Sequence, residues 1–132
     1  LRLHSQVIID TINATVPGKN PVVTTLENRL EKLQEAVSIG APFPGLIELF
    51  GIDDNVSILC NEEGKLMGLA PNRRLGEDIL CGVFYIVAEG NNGDLKSLTT
   101  TQQKRYSKMF WEPDVIDKAD IGRTVFSVFF RG

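Results

Sequence analysis

The sequence predicts an α+β domain, a mainly antiparallel sheet built from hairpins with two helices packed on it. Three observations predict it. Short β-branched or apolar runs recur between clusters of Gly, Pro, Asn and Asp, which is the pattern of successive hairpins. Only two stretches carry a helical period. The chain has 132 residues, 42% hydrophobic and 23% charged, so residues 1–132 make one domain able to bury its own core.

Residues 7–15 (VIIDTINAT) are rich in β-branched side chains and read as a strand. Residues 16–20 (VPGKN) are turn chemistry, and residues 21–26 (PVVTTL) return as the second strand. A helix follows. Asn28 with Glu31 is preferred as its cap over Thr24 with Glu27, and Leu30, Leu33 and Val37 form one apolar stripe. Gly40 and the run Ala41-Pro42-Phe43-Pro44-Gly45 stop it.

Residues 46–52 (LIELFGI) and 56–60 read as strands joined by Asp53-Asp54-Asn55. Asn61-Glu62-Glu63-Gly64 reads as a tight hairpin turn, with Gly64 left-handed and residues 65–69 returning as a strand. Residues 70–78 read as a loop. Residues 79–88 (ILCGVFYIVA) are almost wholly apolar and read as the central, most buried strand. After a turn at Asn91-Asn92-Gly93-Asp94, residues 99–110 form the second helix, capped by Ser97 or Thr99. Tyr106, Met109 and Phe110 face inward there, and Pro113 ends the helix. A last strand runs from Thr124 to Phe130 (TVFSVFF).

The totals exclude several classes of function. No run approaches the roughly 20 apolar residues of a membrane span, and the first six residues do not read as a signal peptide. A net charge of -3 weighs against a general nucleic-acid binder and is too small for a mimic of the DNA backbone. The two cysteines, Cys60 and Cys81, lie in apolar stretches far apart in sequence and read as buried free thiols. His4 is the one histidine. The spacing therefore predicts no metal site, no cofactor, and no Ser-His or Cys-His nucleophile.

Candidate chemistry concentrates between Cys60 and Phe84. Asn61 and Lys65 flank the expected hairpin, and Asn72, Arg73 and Arg74 share a loop stiffened by Pro71. Arginine offers a planar fork suited to carboxylate or phosphate, so these five residues are the expected ligand-binding set, for a small anionic or nucleotide-like ligand. The plain alternative is an ion pair of Arg73 or Arg74 with Glu77 or Asp78. Gly82, inside a bulky strand, marks a close approach of backbone or ligand, or relief of crowding under a helix. Glu62 and Glu63 read as exposed turn charges. Lys104, Arg105 and Lys108 read as a solvated helix face, and Trp111 as a core or lid residue.

The same residues carry a family resemblance. The quoted pieces are Pro17-Gly18-Lys19, Asn28-x-Leu30-Glu31-x-Leu33, the stretch ILCNEEGKLMGLAPNRRL over residues 58–75, then Gly82, Phe84, Ser97-Leu98-Thr99, Tyr106 and Phe110. Together they resemble a family of domains of unknown function, DUF3846, found in phage and conjugative-element reading frames. The resemblance covers about residues 16–113. It departs at residues 38–45, a Pro-rich insertion, and stops short of the strand from Thr124 to Phe130. It implies a bacterial or phage cytosol and a mobile-element gene neighbourhood, and it carries over no catalytic residue.

The leading expectation is a non-catalytic accessory protein that binds a protein or a small ligand and counteracts host defence. The rivals are a small enzyme acting on nucleotides or phosphoesters through Glu62 or Glu63 with Lys65 and Arg73, and a structural interaction module of a larger protein. Both faces of the strand from Thr124 to Phe130 are apolar, so it is either central or pairs with a second subunit. Its position outside the resemblance favours a homodimer.

Overall fold

The computed structural model describes residues 7–14 and 18–116. Eight strands and two helices follow one another in these residues. They are β1 (Ile8–Ala14), β2 (Val22–Glu27), α1 (Leu30–Ala36), β3 (Ile47–Asp53), β4 (Val56–Asn61), β5 (Pro71–Leu75), β6 (Asp78–Cys81), β7 (Phe84–Glu89), β8 (Leu95–Lys96) and α2 (Thr100–Met109). The main sheet runs β2-β1-β7-β4-β3, with β8 pairing the end of β7. β5 and β6 form a separate two-stranded sheet. Every pairing is antiparallel. The fold is α+β, as the hairpin spacing predicts. The proposed strand from Thr124 to Phe130, with the dimer built on it, lies outside the described residues, as does His4.

Alternation along β7 builds the core. Phe84, Ile86 and Ala88 meet Ile12, Val56, Ile58, Leu98, Tyr106 and Phe110 on the α2 side of the sheet. Tyr85 and Val87 join Ile9, Leu59, Leu33 and Val37 on the α1 side. The helices thus cover opposite faces of one sheet rather than sharing a face. Because β7 is covered on both sides, its sequence lacks polar alternation. Phe84 and Phe110 meet edge-on with ring centroids 5.4 Å apart.

Four expectations are corrected. The apolar run 79–88 is two strands in two sheets, because Gly82 (φ 87°) turns the chain between them. A Cβ there would also lie 2.7 Å from Leu69 Cδ1, so packing within the chain accounts for this glycine. Residues 62–68 wind as successive turns instead of returning as a strand. Residues 70–78, expected as a loop, form the β5–β6 hairpin around Gly76 (φ 62°). The α1 cap is Arg29, which makes no side-chain capping bond; the Asn28 amide donates to the Leu95 carbonyl at 3.4 Å instead. At α2 the cap is Thr99, whose hydroxyl accepts from Gln102 N while the Gln102 side chain accepts from Thr99 N.

Candidate functional site

β4 ends on Asn61, and this buried amide shapes the turns after it. Its Oδ1 accepts from Glu63 N at 2.8 Å, turning the chain at once, and its main-chain oxygen accepts from Gly64 N at 3.3 Å. Its Nδ2 donates to Ser38 Oγ, which also accepts from Gly45 N at 2.8 Å. The Pro-rich insertion is therefore pinned to the end of β4. A Cβ at Gly45 would come within 2.6 Å of Asn61, so glycine is needed for that contact.

The next turns press against β6. A Cβ on Gly64 would fall 2.5 Å from the Cys81 carbonyl oxygen. Gly64 is not among the positive-φ glycines, so it serves close approach rather than the left-handed turn expected of it. Lys65 Nζ pairs with the Asp78 carboxylate, which also accepts from Ile79 N at 2.8 Å. Asp78 thus finds its partner in Lys65 rather than in Arg73 or Arg74.

Between the two sheets this winding leaves a pocket of about 290 Å³. Glu48 and Phe50 of β3, the end of β4, residues 62–66 and β6 line it. Phe50, Leu66, Ile79 and Leu80 supply apolar wall, while Glu48, Glu62, Glu63 and Asp78 set four carboxylates against the single ammonium of Lys65. Both cysteines line it as free thiols. Burial and the neighbouring Glu48 carboxylate push the Cys60 thiol up to about 12, and burial raises Cys81 as well. Both are therefore protonated at neutral pH, and neither is an activated nucleophile. Among the described residues no group of three or more His, Cys, Asp or Glu side chains is placed to hold a metal.

The five residues expected to bind a ligand do not converge. Asn61 and Lys65 line the pocket; Asn72, Arg73 and Arg74 do not. Asn72 and Arg73 are buried in β5. Arg73 Nε donates to the Phe110 carbonyl at 3.1 Å, one terminal nitrogen donates to Asn72 O and Oδ1, and the other donates to Lys19 O at 2.6 Å. Burial lowers its pKa, opposed by the Asp114 carboxylate. Arg74 is exposed, and its main-chain N–H donates to Asp114 at 2.7 Å. On α2, Arg105 pairs with Asp53 at 3.1 Å, and Trp111 is half exposed, with its carbonyl accepting from Asn20.

A family model described as domain of unknown function (DUF3846) matches residues 12–111, spanning both sheets, both helices and the pocket. The chain belongs to the DUF3846 family. No curated relative and no solved structure matches it. In this DUF3846 chain, reading the sequence missed Glu48, Phe50 and Leu80 as pocket residues. The alternation of β3 held one usable signal. Glu48 and Phe50 share a strand face, while Ile47 packs against the α1-side core. No helix among the described residues is long and apolar enough to cross a membrane.

Proposed function

We propose that this DUF3846 chain is a non-catalytic accessory protein of a phage or conjugative element, acting in the bacterial cytosol. On this reading it works by binding, and its ligand or partner enters the pocket between the two sheets. The observation that carries the reading is the pocket. It pairs an apolar wall with a few converging polar groups, the arrangement typical of ligand sites. Protonated thiols and an ammonium already held by Asp78 support binding over chemistry. An enzyme built on Glu62 or Glu63 with Lys65 and Arg73 would need Arg73 beside those carboxylates, whereas its donors go to Phe110, Asn72 and Lys19. Interference with host defence is the role that a mobile element gives such a binder.

A thermal-shift screen over nucleotides, cyclic dinucleotides, amines and neutral metabolites tests this, with turnover followed on the same compounds. A ligand at about 100 times its Kd adds about 2.7 kcal/mol to the folded state. The expected outcome is a saturable rise in Tm, abolished by Phe50→Asp, without turnover. Product formation from any compound in the panel would overturn the reading.

A further inference from the structure

We propose that the outer edge of β2 is an interface for a second copy of this chain, the two β2 strands pairing antiparallel about a two-fold axis at Thr24. The inference is independent of the pocket and of the strand expected from Thr124 to Phe130. β2 ends the main sheet and pairs with β1 alone. Its sequence, VVTTLE, includes no Lys, Pro or Gly, and its register with β1 runs unbroken. β3, at the other end of the sheet, carries Glu48 and Asp53 and a register shift between Gly51 and Asp53. Charge and irregularity blunt an edge against pairing, so β3 is defended and β2 is not.

Main-chain geometry selects the partner. Asn28 N donates to Val7 O at 2.7 Å, just beyond the ladder. Antiparallel bonding alternates residue by residue, so Leu26, Thr24 and Val22 bond β1, while Val23, Thr25 and Glu27 point outward. The Glu27 carbonyl accepts from Arg29 N at 2.9 Å. Among the described residues, Val23 and Thr25 therefore each keep an N–H and a C=O for a neighbour. With Thr24 facing its own copy, Val23 lies opposite Thr25 of the second chain, and the two exchange both bonds. The edge is complementary to itself, as a two-fold interface requires.

Side chains and charge agree. Val22 and Val23 are 53% and 52% exposed, and Leu30, just past the other end of β2, is 61% exposed. Antiparallel pairing brings Val22 of one copy to the Leu30 end of the other, where the two shelter each other from water. Glu27, the one charged residue of β2, comes to the end where the second copy carries Lys19. Lys19 is exposed and makes no ion pair among the described residues. A parallel partner would set Glu27 against Glu27 instead.

Sedimentation equilibrium of the whole chain, with amide hydrogen exchange over the same concentrations, tests the inference. The expected result is a monomer–dimer equilibrium with a Kd of about 10 μM, in keeping with a small edge interface. The Val23 and Thr25 amides should exchange about tenfold more slowly in the dimer than in the monomer. Val23→Lys, a charge at an exposed edge position, should weaken the dimer about tenfold, while Leu49→Lys on β3 should leave it unchanged. Glu27→Lys should weaken it about tenfold, because the contact occurs twice, and adding Lys19→Glu should restore it. Should either lysine variant not fold, the amide exchange of the parent chain decides alone.

A chain that stays monomeric at about 1 mM overturns the inference. So does a dimer that Val23→Lys leaves intact, or one whose Val23 and Thr25 amides exchange as in the monomer, since its interface lies on another surface. None of these results bears on the pocket, whose reading stands or falls on the ligand screen.

Discussion

Arg73 has the chemistry of a ligand-binding residue and the surroundings of a cross-link. Its guanidinium joins β5 to the β1–β2 loop through Lys19 and to the end of α2 through Phe110, where the helix carbonyls favour a cation. Arg73→Met should therefore lower stability by about 3 kcal/mol, because buried carbonyls lose their donors. Arg73→Lys should restore little, since an ammonium cannot reproduce the planar fork. Urea denaturation checks this; a loss under about 1 kcal/mol for Arg73→Met would remove the structural role. The sequence left Arg73 and Arg74 equivalent because residues 70–78 read as a loop. On β5, whose register shifts between Pro71 and Arg73, Arg73 is buried beside Asn72 while Arg74 faces solvent. Gly64 was similarly opaque, because close approach to Cys81 is a fact of tertiary structure. Gly64→Ala should cost about 1–3 kcal/mol by overpacking, while Gly51→Ala, with open space at its Cβ, should be tolerated. Equal melting temperatures for the two variants would contradict this.

Elements were legible where one period or one cap decided them. β1 with β2, β3 with β4, the inward Leu33 and Val37 at α1 and the Thr99 cap of α2 all follow from local patterning. Leu30, expected on the same apolar stripe, is exposed. The run 79–88 was not legible as two strands, because a strand buried on both faces and a strand that turns a corner are equally apolar. Only the positive φ of Gly82 separates them. The docking of α2 was also hidden. Tyr106 lies in the core, yet its hydroxyl reaches the end of β3 and donates to Asp53 Oδ2 at 2.7 Å. That bond, with the Asp54 N–H and Arg105 beside it, holds the Asp53 carboxyl below its ordinary value of 3.8. A depressed folded pKa stabilises above the unfolded value and loses that contribution as pH falls through the folded one. Tyr106→Phe should thus destabilise at neutral pH and flatten the acid limb of the stability curve below about pH 4. Denaturation midpoints across the acid range check it, and parallel acid limbs for variant and parent would exclude the bond from α2 docking.

At the scale of the whole fold, burial among the described residues holds four weak acids in their protonated form. Cys60 rises from 9.0 to about 12, Cys81 rises from the same value, and Tyr85 and Tyr106 rise from 10.0, in each case with burial the largest cause. The Tyr85 hydroxyl, donating to Ala36 O at 3.3 Å, also ties the sheet to α1. Above about pH 9 the unfolded chain releases these protons while the folded chain retains them, so the folded state binds more protons and stability falls as pH rises. Each proton fully retained steepens the fall by about 1.4 kcal/mol per pH unit. For Cys60 the contribution is whole below 9.0 and gone above about 12. Cys60→Ala should lower stability at neutral pH through the lost side-chain volume, yet decline less steeply between about pH 9 and about pH 11. The slope separates titration from packing, since a cavity costs the same at every pH. Denaturant titrations of both proteins over that range check the prediction, and equal slopes would mean that Cys60 ionises freely in the folded chain. Such a freely ionising thiol would be a nucleophile in the pocket, and the non-catalytic reading would lose its chemical support.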